Sequence, residues 1–297
     1  SAKILVATDL SNFSVRVVER AAMIATQMHA ALWLVHVIDA RALRALEVLT
    51  GEWAAQRKHR AIQRAQLQLA EGADRLRARY HLQVHTEVIA GHPHDVVAEL
   101  AKAPDVVLTV IGAHSNEALK HTMLGTTAER MLRAIEKPVL IVRSSSPKQY
   151  EGVLAAMDFS VAAVGALELA VRVAPHARIA VLRVIDTHFN GLIGLLGANA
   201  DDLADFWTEA RVDALAKIEA VIAHLPERPA NVSAEVDSGK PIDVILHRSR
   251  QAGVELIALG RHGPIKPIDV LIGSLARAVV HRSDCDVLIS AVTGYDY

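Results

Sequence analysis

Cysteine is nearly absent from this sequence: one residue, Cys285, among 297. A single thiol excludes an internal disulfide framework and a cysteine-based zinc site of the usual spacing. Aromatic residues are also scarce, at 4%, which removes the stacking platforms that hold single-stranded nucleic acid. Neither charge sign is in excess, with 32 basic and 33 acidic residues and a formal net charge of -1. The basic surplus of a nucleic-acid binder is missing, and so is the acidic block of a disordered tail. No apolar run approaches the length of a membrane span, and Ser1-Ala2-Lys3 leads into an apolar segment without the pattern of a signal peptide. The expectation is a cytoplasmic protein in a reducing compartment, with no nucleic acid and no membrane among its partners.

The sequence does contain a repeat, and 52% of its residues are hydrophobic, enough to bury two cores. Val6-Ala7-Thr8-Asp9-Leu10-Ser11 resembles Ala155-Ala156-Met157-Asp158-Phe159-Ser160. Val37-Ile38-Asp39 returns as Val184-Ile185-Asp186, and Gly91-His92-Pro93-His94-Asp95-Val96 as Gly239-Lys240-Pro241-Ile242-Asp243-Val244. Gly112 matches Gly260, and Gly125 matches Gly273. All of these anchors keep their order and lie a nearly constant distance apart, which indicates a duplicated domain. The expected domains are residues 1–145 and 150–297, joined through the polar stretch Ser144-Ser145-Ser146-Pro147.

Each half alternates strands and helices. In the first, strands are expected at Ile4–Ala7, Leu32–Ile38, Val84–Ile89, Val106–Ile111 and Val139–Val142. Helices are expected at Val15–Met28 (capped by Ser11 or Asn12), Glu52–Arg79, His94–Leu100 and Thr126–Ala134. The pattern implies an α/β fold of two repeated doubly wound domains, each a five-stranded parallel sheet with helices on both faces. An apolar, glycine-rich insertion, Thr187–Asp201, distinguishes the second half and reads as a mobile segment over the sheet edge. Its Gly191–Leu196 run reads as core packing before it reads as a pocket lining.

One loop carries chemistry. In the second half Gly260, Gly263, Gly273 and Ser274 form G-x2-G-x9-G-S between the fourth strand and a helix. The glycines are expected to supply positive φ and close approach to an anion, and the helix start to supply oriented N–H groups. Arg261, His262 and Lys266 add positive charge to the loop. Asp158 ends strand one, and the carboxyl ends of strands one and four flank the switch-point crevice of such a sheet.

Taken together, the Asp after strand one, the Val-Ile-Asp ending strand two, the Gly-x-Pro before the third helix and G-x2-G-x9-G-S resemble the universal stress protein family, in its tandem form. The resemblance spans essentially the whole chain, twice. It implies a sheet of order 3-2-1-4-5 and, as in one subgroup, binding of ATP or a related adenine nucleotide with magnesium accompanying the phosphates. The implied site is Asp158 at the adenine, the Val184 backbone at the base, and Leu259, Gly260, His262, Gly263, Gly273, Ser274 and Leu275 around ribose and phosphates. In the first half the matching positions are Asp9, Val37, Gly112, Ser115, Gly125 and Thr126. Ser115 stands where the second loop glycine belongs, so binding there is expected to be weaker or absent. Single-domain relatives pair, so the two halves are expected to form a pseudo-dimer within one chain through Val139–Val142 and Val287–Ile289; a homodimer and an unknown protein partner are further expectations.

Other constellations rank lower. His92 and His94 with Asp95 offer zinc's preferred donors, with His36 and His114 expected nearby. The 15 histidines are scattered, and the His92–His94 group shows no H-x3-H helix spacing, so no metal site is expected. Arg57, Lys58, His59, Arg60, Arg64, Arg75 and Arg77, interleaved with Glu71 and Asp74, read as a solvated helix face. No nucleophile elbow, P-loop or Ser-Gly-Gly-x-Asp-Ser motif occurs. The sequence therefore favours a stress-related regulatory nucleotide binder without catalytic residues. The alternatives are a weak ATPase or phosphotransferase in the same pocket, and an interaction scaffold with vestigial pockets or a His-lined metal site in the first domain.

Overall fold

The computed structural model describes residues 2–50, 53–114, 124–144, 148–187, 200–226, 231–261 and 272–290. The chain divides into two compact units, Ser1–Gln149 and Tyr150–Tyr297. The first contains β1 (Lys3–Thr8), α1 (Asn12–Gln27), β2 (Ala31–Asp39), α2 (Ala40–Thr50), α3 (Ala54–Tyr80), β3 (Val84–Gly91), α4 (Pro93–Ala101), β4 (Val106–Gly112), α5 (Thr126–Ala134) and β5 (Val139–Val142). The second contains β6 (Gly152–Ala156), α6 (Val161–Val173), β7 (Arg178–Ile185), α7 (Ala200–Ala223), β8 (Val232–Ser238), α8 (Pro241–Gln251), β9 (Leu256–Gly260), α9 (Ser274–Arg282) and β10 (Asp286–Ser290).

The strand order is β3-β2-β1-β4-β5 in the first unit and β8-β7-β6-β9-β10 in the second, parallel throughout. This is the 3-2-1-4-5 order, found twice. Central strands are apolar along their length because helices cover both faces. Leu5 and Val110 are completely buried on neighbouring strands of the first unit, and Val153 and Ile257 are so in the second.

Local chemistry sets the boundaries. Helix α1 starts at Asn12, three residues earlier than its apolar spacing suggests, because Ser11 Oγ accepts the Ser14 N–H at 3.2 Å. Asn12 is therefore the first helical residue and Ser11 the cap. Pro93 and Pro241 occupy the first turns of α4 and α8, where a missing N–H costs nothing. Helix α2 was not anticipated. The sequence places a helix from Glu52, whereas the structure closes α2 first and begins α3 at Ala54. Much of the glycine-rich insertion and of the linker, residues 188–199 and 145–147, lies outside the described residues. Among the described residues no helix is long and apolar enough to cross a membrane.

Candidate functional site

The turn after the first strand of each unit is built identically. Asp9 Oδ1 accepts the Ser11 N–H at 3.0 Å. Asp158 Oδ1 accepts the Ser160 N–H at 2.9 Å and the Ser160 hydroxyl at 2.5 Å. Ser160 Oγ then accepts the Ala163 N–H at 3.2 Å, capping α6 as Ser11 caps α1. Between aspartate and serine the chain passes through the left-handed region at Leu10 (φ 60) and Phe159 (φ 65). That conformation costs about 1–2 kcal/mol for a residue with a β-carbon. The turn and cap hydrogen bonds offset it, and in the first unit the Leu10 N–H also donates to Thr8 Oγ1 at 3.1 Å. Each aspartate thus has a structural duty for one oxygen. Oδ2 of Asp9 and of Asp158 has no partner among the described residues and can accept from a ligand.

The glycine loops are also pinned alike. The Ala113 N–H donates to Val142 O at 2.9 Å, and the loop returns when the Gly125 N–H donates to Ala113 O at 2.8 Å. In the second unit Arg261 donates to Ser290 O at 2.8 Å and Gly273 to Arg261 O at 2.8 Å. Gly125 and Gly273 are the N-caps of α5 and α9, and among the described residues no side chain caps either helix. The first N–H groups of both helices present the positive end of the helix dipole.

The described loop glycines work differently from the expectation. Gly125 has φ -62 and Gly273 φ -58, and neither Gly112 nor Gly260 has positive φ. Space is what they provide. A β-carbon on Gly260 would stand 2.8 Å from the Ala163 nitrogen and 3.0 Å from the Ala162 carbonyl carbon. On Gly112 it would meet the Phe13 ring at 3.1 Å and Val17 Cγ2 at 3.2 Å. On Gly125 it would stand 3.2 Å from Ala113 O. These residues let helix and loop backbone close onto the strand end, a steric requirement that sequence spacing alone confuses with φ > 0.

A cleft of about 540 Å³ opens at the carboxyl ends of β1 and β4 in the first unit. Asp9, Val37, Gly112, Gly125 and Thr126 all line it, while Ser115 lies outside the described residues. The sequence missed Phe13, Ser14 and His114 as lining residues. Phe13 and Ser14 follow directly on the Asp-Leu-Ser turn, which was the available signal. Phe13 is buried and packs against the His114 ring, with centroids 4.6 Å apart and planes tilted by 42°.

In the second unit Asp158 follows β6 and is half-buried, and Val184 is buried in β7. Leu259 and Gly260 end β9, Gly273 caps α9, and Ser274 and Leu275 are its first residues. His262, Gly263 and Lys266 lie outside the described residues. Arg261, expected as a loop charge, is buried. Several lining positions differ between the units, two of them by large side chains. Ala162 replaces Phe13 in the helix turn packed on the glycine. Arg183 replaces His36: the His36 Nδ1–H donates to the Thr8 carbonyl at 2.8 Å, and Arg183 donates from Nη1 to the matching Met157 carbonyl at 3.5 Å while lying over the Phe159 ring at 5.6 Å.

The histidines do not converge. His92 Nδ1 is 3.9 Å from Asp39, His94 Nε2 is 3.5 Å from Asp95, and the two rings are 6.2 Å apart. His36 is engaged at Thr8 and His114 at Phe13. Among the described residues no group of three or more His, Cys, Asp or Glu can hold a metal ion. The hydrogen bonds from Arg41 hold the Asp39 carboxyl down to about 2. Burial pushes the Cys285 thiol up to about 11, so it stays protonated and unreactive at neutral pH.

The model of the universal stress protein family matches this chain at residues 1–143 and again at 149–290. The chain belongs to the universal stress protein family. Universal stress protein YxiE of Bacillus subtilis is 30% identical over 146 residues, covering 48% of this chain and 98% of that protein. A universal stress protein of Mycobacterium tuberculosis is 25% identical over 225 residues, 74% of this chain and 72% of that protein. The solved structure of a universal stress protein from Archaeoglobus fulgidus superposes with a TM-score of 0.68 at 21% identity, covering 98% of each chain. That likeness concerns the fold. With two family matches, one in each unit, this universal stress protein has two copies of the crevice framework, each with the aspartate turn and the pinned loop described above.

Proposed function

We propose that this universal stress protein is a regulatory protein that holds an adenine nucleotide, ATP or a close relative, at the carboxyl-end crevice, more tightly in its second unit than in its first. The observation that carries this reading is the convergence of Asp9, Val37, Gly112, Gly125 and Thr126 on one cleft of about 540 Å³. That volume lies within the usual range for small-molecule sites, roughly 300–1,000 Å³. The lining suits a nucleoside phosphate: apolar walls for a base, a carboxylate for its amino group or a sugar hydroxyl, and a helix start for phosphate. The second unit repeats the aspartate turn and the pinned loop with less side chain in the way. Ala162 stands in place of Phe13, and Gly263 in place of Ser115 at the phosphate approach. Magnesium would accompany the phosphates as their counter-ion.

The test begins with the chain purified without added nucleotide, denatured, and its released small molecules identified by mass spectrometry. An adenine nucleotide is expected. A chain that carries none, and gives no heat with ATP or AMP in calorimetry, would refute the reading. A single-turnover assay with labelled ATP separates retention from reaction: nucleotide recovered intact fits a regulatory binder, and released phosphate would move the assignment to a slow ATPase.

A further inference from the structure

In each unit a long helix precedes the edge strand, and its inner stripe follows one rule. Ala65, Leu69 and Ala73 are buried on α3, and Ala214, Ile218 and Ile222 on α7. Both stripes run i, i+4, i+8, so at 3.6 residues per turn each helix buries one narrow face.

The opposite faces also share a spacing, with the charge reversed. On α3, Arg60, Arg64 and Leu67 stand at i, i+4, i+7; on α7, Asp205, Glu209 and Val212 stand at i, i+4, i+7. All six are exposed, Leu67 at 65% and Val212 at 63%. Some neighbouring charges pair within their own helix, Arg77 with Asp74 at 2.7 Å and Lys217 with Asp213 at 2.7 Å. Arg60, Arg64, Asp205 and Glu209 have no ion-pair or hydrogen-bond partner among the described residues.

We propose that the outer face of α3 in one copy of this chain docks on the outer face of α7 in a second copy. Both triplets read charged, charged, apolar from N- to C-terminus. A parallel alignment therefore sets Arg60 beside Asp205, Arg64 beside Glu209, and Leu67 against Val212. The matched stripe is about 10 Å long at 1.5 Å per residue. An interface of this size is weak, and its charges lie within reach of the Debye screening length of about 8 Å at physiological salt. Association should therefore be sensitive to salt. A second copy fits better than a polyanion because the same chain supplies the complementary acidic stripe, while its net charge of -1 gives no overall attraction to nucleic acid or an anionic membrane. This proposal does not depend on nucleotide binding.

Sedimentation velocity on the full chain at low and high salt is the test, with circular dichroism confirming that each variant is folded. The wild type should show an association step at low salt that disappears at high salt. Arg60→Glu with Arg64→Glu should weaken that step by about ten-fold or more, and Asp205→Lys with Glu209→Lys by a similar factor. Mixing the two charge-reversed variants should restore association, because each then supplies the complement of the other. The proposal is overturned if the wild type shows no salt-sensitive step, if either variant alone associates like the wild type, or if the mixture stays unassociated. It is equally overturned if the chain remains unassociated while Arg60 and Arg64 are needed to bind an RNA oligomer or phosphatidylserine vesicles.

Discussion

In the first unit the residue packed against the glycine at the end of the fourth strand is Phe13; in the second it is Ala162. The first unit fills that space with a ring, 3.1 Å from where a β-carbon on Gly112 would lie, whereas the second brings the α6 backbone itself up to Gly260 at 2.8 Å. The main devices that fix the chain path around this point recur in both units: the aspartate turn, the left-handed residue, the serine cap and the loop closed on a single carbonyl. After duplication the backbone hydrogen-bond plan was kept and the lining changed. The plan positions a crevice, and the lining decides what enters it.

The largest effect that would sharpen this comparison concerns the two glycines. Gly260→Ala forces a β-carbon onto backbone atoms that cannot turn aside, and should destabilise the second unit by about 1–3 kcal/mol. Gly112→Ala meets only side-chain atoms of Phe13 and Val17, which can shift, and should cost clearly less. Thermal unfolding of the two variants measures the difference; equal losses would break the distinction between ring packing and backbone packing.

A smaller effect is expected at the caps. Ser160→Ala and Ser11→Ala should each cost about 0.5–2 kcal/mol. Ser160→Ala should lie higher in that range, because its hydroxyl also donates to Asp158 at 2.5 Å. Denaturant unfolding of both variants would show the order, and a greater loss from Ser11→Ala would reverse it.

The smallest effect belongs to the Asp39–Arg41 contact of the first unit; the matching positions of the second unit hold Asp186 and His188. The pair is exposed, so Asp39→Asn should cost below about 1 kcal/mol at neutral pH. Its pKa is depressed on folding, so the contribution is present above the ordinary value of 3.8 and is lost as pH falls toward about 2. Melting curves of parent and variant should therefore converge between pH 5 and pH 2, and a gap that widens on acidification would contradict this.

Much of the fold was legible in the sequence because buried parallel strands are short apolar runs, and the duplication let each half check the other. Helix α2 was not, although Leu43, Leu46 and Leu49 recur at three-residue spacing, because it follows β2 without an intervening loop and most of its described side chains face solvent. The site was legible in position more than in reason. Asp9 and Gly112 were found, but Gly112 and Gly260 serve close packing in place of positive φ, a distinction made only by atoms from elsewhere in the fold. Phe13, His36 and His114 have roles that depend on partners far along the chain or on the local turn geometry, which no short motif carries.

Calorimetry with ATP on the wild type, Gly263→Val and Ser115→Val tests the central claim most directly. The account predicts that Gly263→Val abolishes the main binding event, because a β-branched side chain then occupies the phosphate approach in the second unit. Ser115→Val should leave that event intact, since it alters only the weaker crevice. Equal loss from the two substitutions, or a wild type whose binding survives Gly263→Val and disappears with Ser115→Val, would contradict it.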